Sequence, residues 1–121
     1  MSRLDIYIHR GQRDAPPEWF VKKQERDNEI KRECESYIAR CDALMDRAKK
    51  AHGKLKKGGH TYIGSISGRA IDQVKKAKAH FGLAINNLND TQKRDQWFHS
   101  GLQEFAVAER DVASAESDAQ R

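Results

Sequence analysis

A small, mainly α antiparallel three-helix bundle with a long first helix is the fold this sequence predicts, and three observations predict it. Apolar residues recur at alternating steps of four and three along three separate stretches, the spacing of helices packed lengthwise on one another. Between the stretches stand Gly58-Gly59 and Asn86-Asn87-Leu88-Asn89-Asp90, which carry turn chemistry. The chain is 37% apolar and 34% charged over 121 residues, enough for one modest core in a single domain built from helices with narrow apolar stripes.

Leu4, Ile6 and Ile8 alternate with Asp5, Tyr7 and His9, the period-2 pattern of a short half-buried strand over 3–9. After the turn at Gly11–Ala15 come Pro16 and Pro17, and proline is favoured where a helix begins because its missing N–H would be unpaired there anyway. A helix is therefore expected from about Pro17, with Glu18 complementing its positive end. Its stripe runs Ile30, Cys34, Tyr37, Cys41, Leu44, Ala48, Ala51, Leu55, widened by Ile38 and Met45. The earlier segment Lys22–Glu29 has no apolar face, so it is expected to project into solvent or lean on a partner. Trp19 and Phe20 just before it are expected to anchor on their own domain, with a protein contact as the alternative.

Gly58-Gly59 should end this helix, whose lysine-rich last turns suit the negative end of its dipole. Residues 60–66 read as a second short strand, giving with 3–9 a two-stranded β patch that must pack on the helices to persist. Ser67 is the expected N-cap of a second helix on the stripe Ala70, Val74, Ala77, Phe81, Ala84, Leu88. Asp90 or Thr91 should cap a third on Phe98, Gly101, Phe105, Ala108, Val112, Ala115, Ala119. Fraying is expected from about Ser114.

Charge is distributed unevenly. Ten of the 23 Lys and Arg residues fall between Arg47 and Lys78, where the only acid is Asp72. Residues 1–46 hold nine basic against ten acidic residues, and 81–121 hold four against seven. A one-sign cluster makes a field that attracts an acidic partner, whereas a mixed surface is largely screened. Lys49, Lys50, Lys54, Lys56 and Lys57 close the first helix, and Arg69, Lys75, Lys76 and Lys78 lie on the second. These nine are the candidate contacts, with His60 and Tyr62 able to stack on bases. Lysine predominates over arginine in the block, which points to backbone attraction rather than base reading.

The loop 58–69 brings glycines and serines to a helix start, yet Ser65-Ile66 stand where a phosphate loop needs Lys-Ser/Thr. The five histidines are scattered without metal-ligand spacing, and no serine carries a nucleophile signature. No cofactor, metal or catalytic activity is expected. Cys34 and Cys41 lie seven apart, about 10.5 Å along a helix, beyond disulfide reach, and are expected as buried thiols. No apolar run approaches the roughly 18 residues of a membrane span, and the N-terminus lacks a secretory hydrophobic region, so a cytoplasmic protein is expected.

The expected function is a small non-enzymatic binding protein whose basic face at 47–78 engages an acidic partner, foremost a nucleic-acid backbone. The alternative is a protein–protein module or inhibitor, such as a mobile-element protein that blocks a host nucleic-acid-handling or defence complex. Self-association through the heptad stripes, as a homodimer, is a further route.

Overall fold

The structure, a computed structural model, describes residues 17–59 and 65–120. Three helices account for nearly all of them: α1 (Glu18–Lys57), α2 (Ile66–Asn86) and α3 (Thr91–Ala119). Pro17 is the N-cap of α1, its carbonyl accepting from the amides of Phe20 at 2.9 Å and Val21 at 3.1 Å. At the other end the Gly58 amide returns to the Lys54 carbonyl, and Gly59 takes the left-handed conformation at φ 74°, which glycine adopts without a Cβ penalty.

The second helix is capped two residues before the expected position. Ser65 is the N-cap, its Oγ accepting from the Gly68 amide at 3.3 Å. Ser67 is instead completely buried inside the first turn, 2.8 Å from Nδ1 of His52 on α1. Ser67 thus bonds across the helix interface, and Ser65, 3.4 Å from it, takes the cap. Ile66 is therefore helical rather than extended. The rest of the expected β patch, 3–9 and 60–64, lies outside the described residues, among which there is no strand.

The Asn86–Asp90 turn forms as its composition predicts. The Asn87 side chain donates to the Leu83 carbonyl at 2.7 Å, and Asp90 caps α3 by accepting from the Lys93 amide at 3.2 Å. From there α3 runs to Ala119, with Ala115 buried.

The core lies where the three stripes converge. Ile30, Cys34, Cys41, Leu44 and Ala48 meet Ala70, Val74, Ala77, Phe81 and Ala84, and Phe105, Ala108 and Val112 close it. Half-buried Tyr37 stacks on the fully buried Phe81, centroids 4.9 Å apart, with Phe105 edge-on to Tyr37 at 5.3 Å. Gly101 lets α3 approach that stack, since a Cβ there would sit 2.9 Å from the Phe81 ring.

Ion pairs fix the registers. Arg94–Asp27 at 2.5 Å and Arg47–Glu116 at 2.6 Å join positions offset by nearly the same amount, so α1 and α3 run parallel. Lys78–Asp42 and His52–Ser67 join positions whose numbers fall as the others rise, so α2 runs antiparallel to α1. The Lys22–Glu29 stretch thus leans on its own domain through Asp27, which Arg94 and Lys23 both contact. Trp19, by contrast, is 58% exposed, and its aromatic contact among the described residues is Phe20, edge-on at 5.9 Å.

Candidate functional site

Every lysine of the basic block is exposed, as is Arg69, but the block does not form one face. At 100° per residue, positions seven apart share a direction, and α1 carries three such pairs. Arg47 and Lys54 face α3: Arg47 binds Glu116 through two nitrogens, at 2.6 and 3.0 Å. That hydrogen bond holds the Glu116 carboxyl below its ordinary range and raises the Arg47 guanidinium, while the Lys54 charge lowers Glu116 further. Lys50 and Lys57 point away from the core. Lys49 and Lys56 face α2.

On α2 the division repeats. Arg69 and Lys76, also seven apart, point outward, while Lys75 and Lys78 turn toward α1. The result is a groove between α1 and α2 with Lys49, Lys75 and Lys78 on its rim and Ile38, Met45 and Val74 among its lining. The antiparallel register puts Lys75 about level with Met45, one turn or about 6 Å along the axis from Lys49. Lys56 continues the Lys49 column toward the end of the helix.

Two acids share this groove, Asp42 and Asp46. Lys78 Nζ lies 2.6 Å from Asp42 Oδ1, and this hydrogen bond raises the Lys78 ammonium above its ordinary range. Neither Lys49 nor Lys75 has an ion-pair partner among the described residues. Both acids lie just before the Arg47–Lys78 block, outside the span that its charge count covers. Position 42 is seven residues before 49, and 46 is three before it, so heptad spacing already put them in the Lys49 column.

No family model, curated protein or solved structure matches this chain. The geometry therefore stands alone as a guide to function. His60 and Tyr62, the candidate stacking residues, lie outside the described residues. Phe98 and Phe105 pack in and against the core as their rhythm predicts, and Trp97 lies against His80 at 4.9 Å.

Other polar clusters serve the fold. His80 Nδ1 contacts Glu104 Oε1 between α2 and α3, and the Gln73 amide donates to the Glu104 carbonyl at 3.4 Å. His52 and Ser67 have a serine–histidine distance that suits proton transfer, but Ser67 has no exposed surface, so no substrate reaches it. Burial pushes both cysteine thiols up to about 11, which makes them poor nucleophiles at neutral pH. Among the described residues no group of acids, histidines and cysteines is placed to hold a metal ion, and no helix is long and apolar enough to cross a membrane.

Proposed function

We propose that this is a non-enzymatic binding protein that holds nucleic acid by its phosphates along the α1–α2 side of the bundle. The observation that carries this reading is that one lysine of the α1 cluster, Lys49, and two of the α2 cluster, Lys75 and Lys78, line one groove. Lys49 from the end of α1 and Lys75 from α2 flank it, exposed and without acid partners among the described residues. Lysines held as point charges on rigid helices attract a phosphate backbone without reading sequence. The outward columns Lys50–Lys57 and Arg69–Lys76 enlarge the same positive field.

Binding to a short DNA or RNA duplex is expected to fall with salt, log K declining linearly with log salt concentration. The double variant Lys49→Glu, Lys75→Glu removes two phosphate contacts and adds repulsion, so affinity should drop roughly tenfold to a hundredfold with unchanged helical circular dichroism. Absence of retention on DNA and RNA at low salt would end this reading.

A second reading has its own support. The groove lining includes Ile38, Met45 and Val74, and an apolar lining beneath a basic rim also suits an amphipathic acidic segment of another protein. A pull-down with and without nuclease separates the two, since a direct protein contact survives the nuclease.

A further inference from the structure

We propose that Asp42 is a resident anion of the α1–α2 groove, a specificity-determining residue that occupies Lys78 until a polyanion displaces it. The inference rests on the nucleic-acid reading above and adds a selection rule to it. Three lysines rim the groove, yet they are not equivalent: Lys49 and Lys75 are open, whereas Lys78 is held by Asp42 at 2.6 Å. The pair is uncovered, with side chains 49% and 59% exposed, so an incoming oxygen can replace the carboxylate without any movement of the helices. An exposed pair of this kind is weak and exchangeable.

A single phosphate or carboxylate arriving at Lys78 must compete with a carboxylate tethered beside it. A polymer already seated on Lys49 and Lys75 presents its next phosphate at a high effective concentration and wins that exchange. Asp42 thereby discriminates against isolated anions and in favour of closely spaced ones. Asp46 supplies an internal comparison, because it lines the same groove and carries the same charge but makes no ion pair among the described residues.

The test is fluorescence anisotropy with a labelled short DNA duplex across a salt series, using the full chain as wild type, Asp42→Asn and Asp46→Asn. Asp42→Asn should tighten binding several-fold and leave the salt slope unchanged, because the duplex already takes Lys78 in the wild type and the variant only removes the competing carboxylate. Asp46→Asn should tighten it less and leave the slope unchanged. Adding Lys78→Ala should erase the gain of Asp42→Asn, the coupling that a double-mutant cycle isolates. Equal tightening by the two asparagine variants, undiminished by Lys78→Ala, would overturn the proposal in favour of a general charge effect. Poly-glutamate is the second probe. If it binds with the Asp42→Asn pattern while duplex binds no variant, the displacement role stands and the nucleic-acid reading falls; if neither probe binds any variant, both fall.

Discussion

Gly101 shows how much one missing methyl group can decide. Alanine there would press a Cβ to within 2.9–3.1 Å of three atoms of the Phe81 ring, and that ring is wedged against Tyr37 in the middle of the core. Alanine's better helix propensity contributes about 1 kcal/mol, but overpacking a filled core costs about 1–3 kcal/mol. Gly101→Ala should therefore lower stability by about 1 kcal/mol in urea unfolding. Gly82→Ala, where a Cβ meets nothing within 4 Å, should raise it by about 0.5–1 kcal/mol. The sequence placed Gly101 on the core stripe by its spacing alone; what it packs against required the fold, because Phe81 belongs to a different helix.

Among the elements, α1 illustrates what periodicity can and cannot reveal. Its start, its stop at Gly58-Gly59 and its whole buried stripe were legible, since each depends on local backbone chemistry or on spacing within one helix. The fate of Lys22–Glu29 was not, because its partner Arg94 sits in the ordinary-looking stretch Thr91–Gln96. That arginine is only 3% exposed and is satisfied by Asp27 and Asp95. Replacing it with methionine leaves Asp27 to Lys23 alone, and breaking such a buried pair costs about 3 kcal/mol, less here because Asp27 retains some water. Arg94→Met should lower the urea midpoint and speed amide exchange most in the first turns of α1. The groove was half legible for the same reason: the lysine columns follow from seven-residue spacing, while the Asp42–Lys78 pair spans two helices.

For the molecule as a whole, the two thiols couple core packing to pH. Both titrate near 11 when folded, against an ordinary value of 9.0, mainly because burial disfavours the thiolate. Since the folded value is raised, their contribution is fully present below pH 9 and is lost as pH rises through 11. Each unit of the gap corresponds to about 1.4 kcal/mol per thiol. Wild-type stability should fall across that window more steeply than that of Cys34→Ala, Cys41→Ala, with both measured by denaturant unfolding at each pH. Thiol-specific labelling of the wild type at neutral pH should proceed only through opening of the bundle.

The length of α1 has a hydrodynamic consequence. Its 40 residues span about 60 Å, whereas a compact sphere for a chain of this size, with a radius of gyration of about 14 Å, is about 36 Å across. The 21-residue α2 covers only about 32 Å of that rod, so the described residues make an elongated particle with anisotropic tumbling and excess friction. Its gel-filtration volume will correspond to a globular protein of somewhat larger mass. Sedimentation equilibrium, which reads mass without shape, is the measurement that settles its stoichiometry.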